Sequence, residues 1–240
     1  MKFVKLSNKD EVAQTAAELL SKLDTAGTSP VVALPTGKTP LQLYQRLVQL
    51  QNTGQLDLAG FTWFALDEFC GIGVPRSSTF GSYLETHFIL PAGLSVSSLH
   101  ALDFNSTDAN AEAVRYEQSI AKAGGLDLAI LGIGHNGHIG FNEPGTSFAS
   151  RTGPRNLAPR TREANAYLFA DSDMPYTAIS MGIGTIMEAH RILLMATGEA
   201  KAEIIHRLSE TDPTTALPAS VLKNHPNCVV LVDEGAGARL

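Results

Sequence analysis

Leu126-Asp-Leu-Ala-Ile-Leu131 runs directly into Gly132-Ile-Gly-His-Asn-Gly-His-Ile-Gly-Phe-Asn-Glu-Pro-Gly145. The first stretch is short, largely apolar and bounded by turn residues, which reads as a buried strand. The second holds five glycines, two histidines and a carboxylate. Glycine accepts positive φ and lets a backbone approach a ligand closely. His138 and Glu143 stand five residues apart and are suited to proton transfer. A strand that empties into such a loop implies a sheet that carries its chemistry at the carboxyl ends of its strands.

The pattern repeats on either side. Apolar, β-branched runs predict strands over 31–34, 62–66, 126–131, 191–196 and 228–232. Between them, helical periodicity predicts helices over 9–23, 40–51, 80–88, 110–123 and 201–208. In the first helix, Val12, Ala16, Leu19, Leu20 and Leu23 recur at helical spacing. Strands separated by helices give βαβ units. The expected fold is α/β: a doubly wound, mostly parallel, Rossmann-like sheet with helices on both faces. With 240 residues and no Pro- or Ser-rich linker, a single domain spanning 1–240 is expected. Residues 145–172 are the least readable, being rich in Gly, Pro, Arg and Thr, and are expected to form a long loop that holds a mobile lid.

Composition narrows the function. A net charge of −6 with scattered basic residues argues against nucleic acid and anionic membrane surfaces. The two cysteines, Cys70 and Cys228, cannot build a disulfide framework and suit a reducing compartment. Charge enters the first ten residues too early for a signal peptide, and no apolar run reaches the ~18–20 residues of a spanning helix. A cytoplasmic protein is expected.

Three strand ends carry polar or glycine-bearing segments, and a parallel sheet brings them to one edge. Pro35-Thr-Gly-Lys-Thr-Pro40 links a strand to a helix, with Thr39 as the expected N-cap and Pro40 as the first helical residue. It reads either as a phosphate cradle or as a capped helix start with nothing bound. Asp67-Glu68 end the second strand. Alone they read as solvated loop acids; beside the other two loops they read as a base, an acid or a metal ligand. Gly132 to Gly137 matches G-x-G-x-x-G, but the following Gly140, Asn142, Pro144 and Gly145 oppose the helix that a dinucleotide site requires. His135, His138 and Glu143 lack the spacing of a zinc helix. His138 is therefore read as an acid/base whose ring is set by Glu143.

Three segments then become recognisable together: Leu66-Asp-Glu-Phe69, Leu131 to Phe148, and Ala178-Ile-Ser-Met-Gly-Ile-Gly-Thr-Ile186. They resemble the glucosamine-6-phosphate deaminase family over nearly the whole chain. The related 6-phosphogluconolactonases have a different continuation where this chain reads Ile139-Gly-Phe-Asn-Glu-Pro144. The resemblance implies conversion of glucosamine 6-phosphate and water to fructose 6-phosphate and ammonia, without redox cofactor or metal. It implies that His138 opens the sugar ring, that Glu143 and Asn136 orient and tune it, and that Asp67 moves a proton from C2 to C1. Thr36, Gly37, Lys38, Thr39, Gly137 and Lys201 are implied to hold the substrate and its phosphate.

Two departures from the family pattern stand out. Lys38 occupies a place that is usually Gly or Ser, and Tyr167 stands where a phosphate-binding arginine is usual. Lys38 is expected to supply the missing charge. Relatives activated by N-acetylglucosamine 6-phosphate are hexamers with a basic residue just after Ser-Arg-Thr and a longer C-terminal tail. Here Ser150-Arg-Thr152 is followed by Gly153, with Arg155 two places on, and the sequence ends at Leu240. The expectation is a monomer or small homo-oligomer that binds an amino-sugar phosphate without cooperativity.

Overall fold

The computed structural model describes residues 1–23, 29–71, 74–169 and 174–240, apart from the side chains of Arg160 and Ala164. Its framework is a parallel sheet of seven strands in the order β1-β10-β9-β6-β2-β3-β5. These are β1 (Lys2–Leu6), β2 (Val31–Leu34), β3 (Thr62–Ala65), β5 (Leu99–His100), β6 (Leu128–Leu131), β9 (Arg191–Ala196) and β10 (Cys228–Asp233). Every pairing among them is parallel.

Strand alternation builds two cores. Val31 and Ala33 of β2 face one side, while Val32 and Leu34 face the other. Ile192 and Leu194 of β9 divide from Leu193 and Met195 in the same way. Successive side chains point to opposite faces of a strand, so a strand covered on both faces must be apolar throughout. One face is covered by α1 (Lys9–Ser21) and α2 (Lys38–Asn52), through Val12, Ala16 and Leu20 and through Leu43, Tyr44 and Leu47. The other is covered by α4 (Ala109–Lys122), α6 (Ile183–Met187) and α7 (Ala202–Glu210). The doubly wound fold thus matches the expectation.

Several details differ from the sequence reading. Two further strands join the sheet edges. β1 carries two exposed lysines among three half-buried apolar residues, and β5 has two residues, so neither produces an apolar run. The helix expected over 80–88 divides into α3 (Phe80–Leu84) and a π turn, Glu85–Ile89. The start of α2 also moves. Gly37, not Thr39, is its N-cap, at φ +112°, which only glycine adopts easily, and Pro40 sits in the third helical position.

The larger correction is a second sheet. β4 (Asp67–Phe69), β8 (Thr177–Ser180) and β7 (Gly153–Asn156) form an antiparallel, three-stranded layer in the order β4-β8-β7. Segment 145–172 is therefore not one long loop. It contributes β7, α5 (Pro159–Asn165) and a 3₁₀ turn, Ala166–Phe169. Residues 170–172 of the expected lid lie outside the described residues. Phe69, Phe80, Phe141, Leu157 and Phe169 fill a third small core beneath this layer.

Candidate active site

At the carboxyl edge of the parallel sheet lies a cleft of about 390 Å³. A polar groove between α1 and α2 is larger, at about 520 Å³, but it holds none of the strand-end segments. Volume does not choose the site; chemistry and topology do. Into the smaller cleft the structure brings Thr36, Gly37, Lys38 and Thr39 from the end of β2, Asp67 from β4, His138 from the loop after β6, and Lys201 from the turn before α7. Phe80 and Phe141 form apolar wall, and Thr161 and Asn165 of α5 close one side.

Asp67 is set on the second sheet, paired with Ser180 of β8. The Ser180 hydroxyl accepts the Phe141 N–H at 3.0 Å and so ties β8, the strand on which Asp67 pairs, to the glycine loop. Asp67 is only 7% exposed. No described residue donates a hydrogen bond to its carboxyl group. Burial without compensating donors disfavours the anion and pushes its pKa up to about 7. Next to it, Glu68 points the other way, as alternation requires. Its carboxyl accepts the N–H groups of Phe69 at 3.0 Å, Phe80 at 2.8 Å and Gly81 at 2.8 Å. Glu68 thereby fastens β4 to the start of α3 and holds Phe80 against the cleft.

Across the cleft, Glu143 has the opposite environment. Burial would raise its pKa, but His138, Thr161 and Asn136 together outweigh this and hold it at about 2. Thr161 Oγ1 donates to Glu143 Oε1 at 2.5 Å, and Asn136 Nδ2 donates to Oε2 at 2.7 Å. His138 Nδ1 is buried and lies 3.6 Å from Glu143 Oε2, within ion-pair range and just beyond a hydrogen bond. Asn136 also accepts the His138 N–H at 3.2 Å. Asn136 and Glu143 thus stand behind His138 and do not line the cleft themselves. Gly134 makes room for the imidazole: a Cβ there would fall 2.2 Å from the ring.

The end of the cleft beside β2 is built from backbone. The Tyr44 hydroxyl donates to the Pro35 carbonyl and the Tyr83 hydroxyl to the Gly37 carbonyl, the latter at 2.7 Å. The turn is thus held by its oxygens, while the N–H groups of Gly37, Lys38 and Thr39 find no acceptor among the described residues. Free amides at a helix start attract anions. Lys201 Nζ donates to the Ile133 carbonyl at 2.6 Å, and burial lowers its pKa. Lys38 is exposed and lines the cleft, whereas Tyr167 is 66% exposed and lies outside it. Gly137 also lies off the cleft. It sits at φ +88° against Leu217, and its carbonyl accepts from Ala219 at 2.9 Å, so its place is in packing. Among the described residues no three His, Cys, Asp or Glu side chains gather as a metal site.

Sequence reasoning missed Ser180, Thr161, Phe80 and Phe141. Ser180 lies within a quoted segment, but only the second sheet reveals its neighbour. Thr161 had no local signal, because its partner is distant in the chain.

The chain belongs to the glucosamine-6-phosphate isomerase/6-phosphogluconolactonase family, whose model matches residues 7–231. It is 41% identical to a glucosamine-6-phosphate deaminase of Geobacillus sp. (strain WCH70), over 98% of this chain and 94% of that protein. It is 38% identical to the enzyme of the same name from Bacillus velezensis, over 98% of both. The solved structure of a monomeric glucosamine-6-phosphate deaminase superposes with a TM-score of 0.94 and 37% identity over the whole of both chains. A 6-phosphogluconolactonase from Trypanosoma cruzi shares the fold, at a TM-score of 0.79 and 16% identity, covering 100% of this chain and 96% of the other.

Proposed function

We propose that this protein is a glucosamine-6-phosphate deaminase that converts glucosamine 6-phosphate and water to fructose 6-phosphate and ammonia. The observation that carries the reading is the pair of carboxyl groups in opposite conditions around one cleft. Asp67 is poised near 7 and Glu143 is held near 2 beside His138. A base near neutrality accepts a proton and can also return it.

The chemistry follows from these placements. A proton on Nδ1 of His138 faces ionised Glu143, which leaves Nε2 to exchange protons within the cleft. His138 carries a proton to the ring oxygen as the C1 hydroxyl loses one, and the open-chain aldehyde forms. Asp67 takes the C2 proton and delivers it to C1 on the same sugar. As the C1 oxygen gains a proton and the amino nitrogen loses one, a C2 imine results, which adds water and releases ammonia, leaving the C2 ketone. Water enters and a C–N bond is lost, which makes the overall reaction hydrolytic as well as isomerising. These proton transfers draw on no redox cofactor or metal.

The free amides of Gly37, Lys38 and Thr39, with Thr36 and Lys201, receive the phosphate. Binding there, remote from the reacting carbons, positions the sugar for both proton transfers. Lys38 adds the charge that Tyr167 does not provide. Helix α5 serves as the lid, since Thr161 and Asn165 line the cleft and Thr161 bonds to Glu143. The protein acts as a cytoplasmic monomer or small homo-oligomer on a small-molecule substrate. Cys70 and Cys228 are buried free thiols, in keeping with a reducing compartment. Among the described residues no helix is long and apolar enough to cross a membrane.

The test is ammonia release from glucosamine 6-phosphate by the purified protein, with fructose 6-phosphate formed in equal amount and no effect of chelator. Hydrolysis of a 6-phosphosugar lactone without ammonia release would overturn the reading.

A further inference from the structure

β9 and β10 are neighbouring parallel strands, with Val232 opposite Ala196. Their carboxyl ends leave the sheet side by side as two turns. Asp233, the last residue of β10, reaches across: its Oδ1 accepts the N–H of Gly198 at 2.9 Å and that of Ala236 at 2.8 Å, and its Oδ2 accepts Gly198 again at 3.0 Å. Gly198 sits at φ +87° and opens the 3₁₀ turn Glu199–Lys201, which closes through Lys201 N–H to the Gly198 carbonyl at 3.0 Å. One residue earlier, the Thr197 hydroxyl lies 3.5 Å from that of Thr39, in the first turn of α2. The peptide that Asp233 holds therefore joins both halves of the anion end of the cleft: Lys201 on one side and the amide-bearing turn on the other. The two turns also touch directly. A Cβ on Gly235 would fall 2.9 Å from the Glu199 nitrogen and 3.1 Å from the Gly198 carbonyl carbon.

We propose that Asp233, which does not itself line the cleft, is a positioning residue for phosphate binding: it sets Lys201 and braces the start of α2. The inference rests on the reading of the cleft given above. Asp67 and His138 are carried by β4 and by the loop after β6. Loss of the Asp233 bond therefore loosens the anion site while leaving the proton-transfer groups in place.

The experiment compares Asp233→Ala, Asp233→Asn and Gly235→Ala in the full chain. The readouts are kcat, KM, competitive inhibition by inorganic phosphate, and the pH dependence of kcat/KM. Asp233→Ala should raise KM and the phosphate inhibition constant together by about tenfold, the scale of one charge-assisted hydrogen bond to an anion. Its kcat should stay within about twofold and its acid limb should not move, as loss of ground-state positioning predicts. Asp233→Asn keeps one acceptor oxygen and should fall between Ala and the parent. Gly235→Ala presses on the same turn from the other side and should reproduce the rise in KM, which keeps the test available if Asp233→Ala does not fold. Folded variants with unchanged KM and phosphate inhibition, or a fall in kcat at constant KM, would overturn the proposal. Lys201→Ala separates this from failure of the underlying reading. If Lys201→Ala raises KM and Asp233→Ala and Gly235→Ala do not, the positioning role alone is wrong. If Lys201→Ala leaves KM unchanged, the anion site itself has been misplaced.

Discussion

Replacing Asp67 by Asn should abolish turnover and at the same time make the protein more stable, by an amount that grows with pH. Asp67 has a pKa near 7 in the folded state, against an ordinary 3.8. The folded state therefore binds its proton more tightly than the unfolded chain does. Stability from this group is fully present below pH 3.8 and is lost as pH rises through about 7. Above that, the ionised, buried carboxylate costs about 4 kcal/mol, since each tenfold change in acidity is worth about 1.4 kcal/mol. This is a ceiling, because Asp67 lines a cleft that is open to solvent. Asn does not titrate, so constant effects of the amide cancel when two pH values are compared. The linkage relation then gives an extra stabilisation of about 2.5 kcal/mol between pH 5 and pH 8. Loss of the neighbouring charge also eases ionisation of Glu68, which acts in the same direction. For a chain of this size 1 kcal/mol corresponds to roughly 2–4 °C in Tm. The advantage of Asp67→Asn should therefore widen by roughly 5–10 °C across that range. Paired thermal melts at pH 5, 6.5 and 8, with an assay of C2 hydrogen exchange into solvent, provide the measurement. A constant Tm difference at all three pH values, or retained exchange by the variant, would refute the view that burial makes Asp67 the base.

Three further outcomes follow from the same geometry. Lys201→Ala should raise KM ten- to a hundredfold, on the usual scale of about 1.5–3 kcal/mol for a hydrogen bond to a charged group, and Lys38→Gly should raise it if Lys38 supplies the second cation; an unchanged KM in Lys38→Gly would return that lysine to the solvated surface. Gly134→Ala places a methyl group 2.2 Å from the His138 ring and should cut kcat by at least about a hundredfold while the fold persists, as measured by steady-state kinetics and circular dichroism; near-parental activity would show that the ring need not sit where it does. Saturation by substrate should be hyperbolic and unaffected by N-acetylglucosamine 6-phosphate, because Arg155 is already engaged with Asn142 Oδ1 at 3.3 Å, the Pro154 carbonyl at 3.0 Å and the Arg151 carbonyl at 2.9 Å; sigmoidal kinetics relieved by that sugar phosphate would show otherwise.

The sequence made the parallel framework legible because β2, β6 and β9 are covered on both faces and so read as uninterrupted apolar runs. It made the three strand-end segments legible because glycine, histidine and carboxylate are unusual company. What it hid has a common cause. Edge strands such as Lys2–Leu6 keep charged residues and lose the pattern. β4, Asp67-Glu-Phe69, sets two adjacent acids before one aromatic and looks like a loop, although both carboxyl groups are buried. β7 contains a proline and an arginine and pairs only along one edge. The bonds from Thr161 to Glu143 and from Asp233 to Gly198 leave no local trace, since neither partner alters the propensity of its own segment.

The antiparallel layer has a consequence for how the molecule is made. Asp67 pairs with Ser180, more than a hundred residues away, in a strand of only three residues, whereas β2 and β3, and likewise β9 and β10, are sheet neighbours joined by single helical crossovers. Contacts of high sequence separation are slow to form, because their closure entropy must be overcome first. Asp67 is thus carried by a long-range pairing of three residues beside the frame of the larger sheet. Trp63, the sole tryptophan, is buried in that frame. On dilution from denaturant its fluorescence should reach the native value before ammonia-releasing activity returns, and the population between the two signals would hold the β2–β3 part of the sheet formed with Asp67 not yet docked. Coincident recovery would mean that the small sheet closes with the large one.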